Sequence, residues 1–248
     1  IFINYDKYIF EKYNSPFSSP STADQTPTKW VYDFKSQELS QLDSNILNLL
    51  WLSNDKIIYH FLNQNISTIN SANYDGLDWS KIIDLENIYL DSFISVSNNK
   101  LFFLGTPGEG IRNLYVLDLE TKKIEKKLDD LGANALISPD STKILFEISK
   151  DNQASLYWSL LEKPELNKTD LQTSISKTTW IDQNRIVAAL PGSAGDEFYI
   201  FDTSNGEKQK MIYKKTNYNF DVQEIMISSD GKTLYFISNS LLFKLETK

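Results

Sequence analysis

The sequence predicts an all-β chain folded as a six-bladed antiparallel β-propeller. Two observations carry that expectation. A short pattern returns six times, usually two apolar residues, a small polar residue, a tight turn, often a basic residue, and a strongly β-forming triplet. The 248 residues divided over six copies give roughly 41 each, which fits the 40 to 45 or so residues of a four-stranded blade. A repeated unit that cannot bury its own apolar face must stack on its neighbours.

The copies read Phe2-Ile3-Asn4 with Tyr8-Ile9-Phe10, Trp51-Leu52-Ser53 with Ile57-Ile58-Tyr59, and Ser95-Val96-Ser97 with Leu101-Phe102-Phe103. Three more follow: Leu136-Ile137-Ser138 with Ile144-Leu145-Phe146, Trp180-Ile181-Asp182 with Ile186-Val187-Ala188, and Met226-Ile227-Ser228 with Leu234-Tyr235-Phe236. Their starts give repeats 1–49, 50–93, 94–134, 135–178, 179–224 and 225–248 within a single domain. The middle residue of each first triplet is aliphatic, as a first strand packed between blades requires. The Asn, Ser or Asp after it suits the turn that ends the strand.

A third strand ends in a shared Asp at Trp30-Val31-Tyr32-Asp33, Tyr115-Val116-Leu117-Asp118 and Tyr199-Ile200-Phe201-Asp202, with relatives at Leu156-Tyr157-Trp158 and Leu241-Leu242-Phe243. That carboxylate can accept backbone N–H groups ahead of it and open the next turn. Polar fourth strands follow at 38–42 and 209–213. In 122–128, Ile124 and Leu128 have helical spacing, but the segment's place in the repeat predicts an edge strand. The last repeat has room for three strands, so its outer strand is expected to be missing or supplied by residues outside this chain.

The runs Ile137-Ser138-Pro139-Asp140-Ser141-Thr142-Lys143-Ile144-Leu145-Phe146 and Ile227-Ser228-Ser229-Asp230-Gly231-Lys232-Thr233-Leu234-Tyr235-Phe236 resemble the SPDGKxIxF signature of the WD40-like (PD40-type) repeats in TolB-like β-propellers. Neither the Gly-His nor the Trp-Asp dipeptide of true WD40 repeats occurs. The resemblance implies a place among bacterial envelope, surface or extracellular proteins, or among propellers that precede peptidase domains.

Composition narrows the chemistry. A net charge of −8 and a pI near 4.8 argue against nucleic acid as a partner, because that affinity rests on clustered Lys and Arg. Without cysteine there is no disulfide, thiolate nucleophile or Cys-ligated metal, and a single histidine, His60, leaves little for Ser-His-Asp catalysis or a His-ligated zinc. No cofactor and no metal are expected. No stretch approaches the roughly 20 apolar residues of a membrane helix. Nothing reads as a signal peptide, and Ile1 already lies in a strand, so any targeting or membrane-anchoring segment is expected upstream of this chain.

Several residues draw attention. Trp51 and Trp180 occupy the same first-strand position, where an aromatic could line the channel and stack on a sugar or pack between blades. Asp91, Asp221 and Glu224 enter first strands, where a propeller glycosidase would place its acid and base, a pair that must stand about 5 to 9.5 Å apart. His60 alternates with Tyr59 and so faces the opposite side of its strand. The run 105–110 has the glycine content of a phosphate loop but leads into a strand, and 73–78 has a calcium-loop flavour but lacks the EF-hand spacing, so both read as loops.

The expected function is a non-catalytic binding module recognising a protein, peptide or glycan. The alternatives are a glycoside-active propeller enzyme, a gating propeller of a larger hydrolase, or a structural spacer. The segments 14–28, 105–112 and 191–196 read as enlarged second-to-third-strand loops, expected to form a recognition face with Asp91, Asp221, Glu224, Glu109 and Asp196. Trp51 and Trp180 complete the candidate set.

Overall fold

The computed structural model describes residues 2–4, 7–12, 28–107, 112–129, 131, 134–150, 153–211, 219–228 and 231–246. They form six antiparallel sheets in chain order, the six blades expected. The first holds β1 (Phe2–Asn4), β2 (Lys7–Lys12), β3 (Thr28–Asp33) and β4 (Leu39–Gln41); the second holds β5 (Ile46–Trp51), β6 (Lys56–Asn63), β7 (Ile66–Asn73) and β8 (Ser80–Asp84). The third holds β9 (Tyr89–Ser97), β10 (Lys100–Thr106), β11 (Asn113–Asp118) and β12 (Ile124–Leu128), so the segment with helical spacing is a strand. The fourth holds β13 (Ala135–Ile137), β14 (Lys143–Lys150), β15 (Gln153–Leu160) and β16 (Asn167–Lys168); the fifth holds β17 (Thr178–Trp180), β18 (Arg185–Gly192), β19 (Gly195–Asp202) and β20 (Lys208–Lys210). The sixth has three strands, β21 (Val222–Ile227), β22 (Thr233–Ser238) and β23 (Leu241–Glu246). Within each sheet the strands lie side by side in sequence order. A 3-10 turn, Ile175–Lys177, precedes β17.

The recurring polar residues close the turns. After the third strand, Asp33 Oδ1 accepts the N–H groups of Lys35 and Ser36, Asp118 Oδ1 those of Glu120 and Thr121, and Asp202 Oδ1 that of Ser204. The same Asp N–H then bonds the carbonyl five residues on, at Glu38, Lys123 and Glu207. Each turn places its fourth residue after the Asp in the left-handed region, at Gln37, Lys122 and Gly206. Only the last is the glycine that this conformation favours. In the first-to-second turns, Ser138 Oγ and Ser228 Oγ accept the N–H of Lys143 and Thr233, while Asp182 Oδ1 accepts that of Arg185. Paired left-handed residues, Asn98-Asn99 and Asn239-Ser240, make two-residue hairpins of the twist that antiparallel strands prefer.

Two compact units divide the chain, 1–109 with 117–124, and 110–116 with 125–248. In the first, Ile9, Val31, Leu42, Leu49, Ile57 and Tyr59 form the core between the first and second sheets, with Trp51, Phe61 and Tyr74 packed against it. Polar links reinforce it: Lys7 Nζ lies 3.0 Å from Asp55 Oδ1 and 4.5 Å from the centre of the Tyr74 ring, and Tyr74 Oη donates to Asp33 Oδ2. The second unit has two cores, one around Leu145, Leu156, Leu171 and Trp180, the other around Phe198, Phe220, Leu234 and Phe236.

Burial ranks the first two strands of a blade. The aliphatic middle residues Leu52, Val96, Ile137, Ile181 and Ile227 are only half-buried. The fully buried position is the first residue of the second-strand triplet, Ile57, Leu101, Ile144, Ile186 and Leu234. A second strand has a neighbour on each edge and a sheet face on each side, whereas a first strand has one open edge. The fold also shortens one expected loop. Pro191 pairs with Asp196 and Gly192 with Gly195, so 191–196 belongs mostly to the β18–β19 hairpin. Residues 14–27 and 108–111, most of the other two expected loops, lie outside the described residues.

β23 ends its sheet and exposes Leu241 and Leu242. Beyond them Lys244 and Glu246 alternate with the half-buried Phe243 and Leu245.

Candidate functional site

In the second unit the structure brings Asp196 and Asp221 together around one lysine. Lys177 Nζ lies 2.9 Å from Asp196 Oδ2 and 3.6 Å from Asp221 Oδ1. Asp196 is buried, and its Oδ2 also accepts the N–H of Val222 at 2.8 Å, while its own N–H donates to Phe220 O at 2.6 Å. Gly195 beside it has φ +99°, and a Cβ there would stand 2.7 Å from Phe220 O. Asp196 therefore fastens the β18–β19 hairpin to the start of β21, and its carboxylate is committed to backbone and lysine. Asp221 is exposed at the entrance to β21 and its N–H donates to Ser238 Oγ. Glu224, also exposed, follows the bulge in β21.

Trp180 is buried, with its indole N–H donating to Leu136 O at 3.2 Å. That is the packing role of a large aromatic, not a sugar platform. In the first unit Trp51 takes the equivalent position against the core, half-buried, with an indole N–H that meets no acceptor. Asp91 is an exposed residue of β9 whose carbonyl accepts from Asn48 Nδ2. Glu109 lies outside the described residues. His60 is 2% exposed, with Nε2 2.9 Å from Ser67 Oγ, and burial pushes its pKa down to about 4. It stays neutral across the physiological range, as a structural histidine would. Among the described residues no group of three or more His, Cys, Asp or Glu could hold a metal ion.

A concave feature of the first unit lies elsewhere, on the face that the second sheet turns toward the first. Tyr59 pairs with Asn70 and Phe61 with Thr68 across β6 and β7, which sets all four on one face. The core covers the inner end of this face, but β4 is only three residues long against the eight of β6 and β7. The uncovered strip forms a groove of about 430 Å³, within the range of about 300 to 1,000 Å³ usual for ligand sites. Leu42 and Ile46 line one side; Ile66, Leu77 and Trp79, each more than 60% exposed, line the other. At the tip of the β7–β8 hairpin, Gly76 at φ +84° approaches Leu42, which fixes the groove's width there.

Its floor is polar. Asn70 is 3% exposed; its Nδ2 donates to Thr68 Oγ1 at 2.8 Å, and its Oδ1 has no partner. A buried acceptor left unmade costs roughly 1 to 3 kcal/mol. The rim is acidic: Asp43, Asp75 and Asp84 stand there with one cation, Lys81, whose ammonium is held 2.8 Å from Asp84 Oδ2. Asp43 Oδ1 and Asp75 Oδ1 accept the N–H groups of Asn45 and Leu77, which sets the local turns. Burial, with Asp43 nearby as a second cause, pushes the Tyr59 hydroxyl above its ordinary pKa, so it remains a neutral donor.

The repeat marked Tyr59 and the fourth strand that ends at Leu42 but not their use, because the repeat records what blades share and the groove arises where β4 is short. The available signal was Trp79, a large aromatic two residues after Leu77 in an otherwise polar turn. The turn at 73–78 is indeed a polar turn: Asn73 Nδ2 donates to Asp78 Oδ2 and Gly76 N to Asn73 O.

No protein-family model matches this chain. No characterised protein matches it in sequence. Solved structures do match. TolB from Acinetobacter baumannii superposes with a TM-score of 0.56 at 15% identity over 98% of this chain and 69% of its own. The β-propeller domain of the Trilobed protease from Pyrococcus furiosus gives 0.61 at 16% identity over 96% and 78%. Oligogalacturonate lyase from Vibrio parahaemolyticus gives 0.64 at 14% identity over 89% and 69%. The likeness shows the fold: this chain is folded as a β-propeller, as TolB and the protease domain are.

Proposed function

We propose that this propeller is a non-catalytic recognition module of the bacterial envelope or extracellular space, and that the groove on its second sheet is the recognition surface. The groove carries the reading, since it joins exposed apolar walls to a buried acceptor that lacks a partner. Water-exposed apolar surface and an unsatisfied carbonyl each gain from a ligand that covers both. Envelope placement draws on the repeat signature and on the likeness to TolB. No helix among the described residues is long and apolar enough to cross a membrane.

The fold is shared with a lyase and with a protease domain, so turnover is the direct test. Purified protein is to be incubated with oligogalacturonate, nitrophenyl glycosides and aminoacyl nitroanilides beside the D221N/E224Q double variant. The reading expects equal background rates from both proteins. Turnover that the double variant loses overturns it in favour of an enzyme.

A further inference from the structure

We propose that the groove of the second sheet takes an extended peptide segment of a partner protein, carrying a large apolar side chain flanked by a lysine or arginine. The inference rests on the groove being the recognition surface and adds the class of its occupant.

Three features select that class. The walls are aliphatic as well as aromatic, with Leu42, Ile46, Ile66 and Leu77 facing the space along with Trp79. A sugar offers C–H patches but surrounds them with hydroxyls, and aliphatic walls would strip those of water without replacing their hydrogen bonds. An apolar side chain leaves nothing unpaired. The floor then asks for one donor: Asn70 Oδ1 accepts nothing from the protein, and its own Nδ2 already serves Thr68. A backbone amide N–H supplies that donor beside an apolar side chain. The rim supplies the third feature. Three carboxylates face one lysine, which is already paired with Asp84, so the field around the groove attracts a cationic flank and repels an acidic one.

The shape agrees. The groove runs along β7, from Ile66 to the hairpin that carries Leu77 and Trp79, and its near side is the end of the three-residue β4. A segment lying along it would be extended, with alternate side chains pointing to the floor and to solvent.

The test uses the whole chain and three probes followed by ¹H–¹⁵N spectroscopy: the peptides acetyl-KLFKL-amide and acetyl-ELFEL-amide, and chitotriose. The basic peptide is expected to shift the Trp79 indole and Asn70 side-chain amide signals, and to bind at least about tenfold more tightly than the acidic one, with the difference shrinking in salt. W79A should abolish the shift without loss of thermal stability, since that side chain is mostly exposed. N70L should weaken binding while keeping the fold. Equal binding of the two peptides, no shift at millimolar basic peptide, or binding untouched by W79A overturns the proposal. Chitotriose shifting Trp79 where the peptides do not also overturns it, and leaves the groove a recognition surface for glycans; catalytic turnover in the preceding assay would instead overturn the recognition reading itself.

Discussion

The indole N–H of Trp180 reaches the carbonyl of Leu136 at 3.2 Å, joining the first strand of the fifth sheet to the first strand of the fourth across 44 positions of sequence. That interval is one repeat. Trp51 occupies the equivalent place in its own repeat, yet its N–H is buried without an acceptor. Exchanging each for phenylalanine separates the bond from the bulk. W180F should cost about 1 to 2 kcal/mol more than W51F, because only W180F loses a made hydrogen bond while W51F removes an unmade one. Urea unfolding midpoints read the difference, and equal losses would show that the bond contributes nothing beyond packing.

Glycine is required at Gly195 for two reasons, of which Gly206 shares only the first. Both have positive φ, but a Cβ at Gly195 would press on Phe220 backbone at 2.7 Å, whereas at Gly206 nothing lies within 4 Å. G206A should cost about 1 to 2 kcal/mol, the usual strain of an L-residue in that region. G195A should cost more, upward of about 3 kcal/mol, since backbone must move. Thermal midpoints that rank the two the other way would contradict the geometry.

The two carboxylates around Lys177 should behave unequally. D196A leaves the N–H of buried Val222 without its acceptor and removes the nearer partner of the ammonium, at an expected cost of about 2 to 4 kcal/mol. D221N touches an exposed group 3.6 Å from the same ammonium and should change stability by no more than about 0.5 kcal/mol. Chemical denaturation of both variants checks this, and a large effect of D221N would point to a role the packing does not explain.

His60 sets the pH response. Its folded-state pKa, lowered to about 4 from an ordinary 6.5 by burial, means that between those values the unfolded chain binds a proton and the folded one does not. Stability therefore falls as pH drops from 6.5 to 4, by on the order of 3 kcal/mol in all, and levels off below. Asp33, held low mainly by the Lys35 N–H, and Asp118, held low mainly by the Thr121 N–H, are shifted in the same direction, but from the ordinary carboxylate value of 3.8, so they act in a lower pH window. Their stabilisation is present above the ordinary carboxylate range and is lost only as pH falls below it. The window above pH 4 thus belongs to His60, and H60Q should flatten the stability profile there. An unchanged slope in H60Q would assign it to another group.

Much of this fold was legible because it repeats. Asp33, Asp118 and Asp202 announce the same turn three times, and each makes the predicted bonds to backbone N–H groups. Burial depth was read less well. Ile137 and Ile144 look alike in sequence, yet one is half-buried and the other fully so. Which strand has neighbours on both edges is a property of the assembled sheet. Trp180 and Asp196 were visible as unusual residues, but their use depended on Leu136 and Val222, partners fixed only by register. The groove was least legible, because it follows from the shortness of β4 and from the register that pairs Tyr59 with Asn70, neither of which leaves a composition signal.

The three-stranded sixth sheet bears on how the protein behaves in the tube. Among the described residues β23 is the last strand of its sheet, with exposed Leu241 and Leu242 upon it, and an edge of that kind is a template on which a second molecule can add a strand. Lys244 and Glu246, spaced along the same strand, act as gatekeepers against that addition because stacking copies in register would bring like charges together. Colloidal stability would then hinge on two side chains that the packed core does not use. A chain with both neutralised should unfold at the same denaturant concentration and yet precipitate at lower protein concentration.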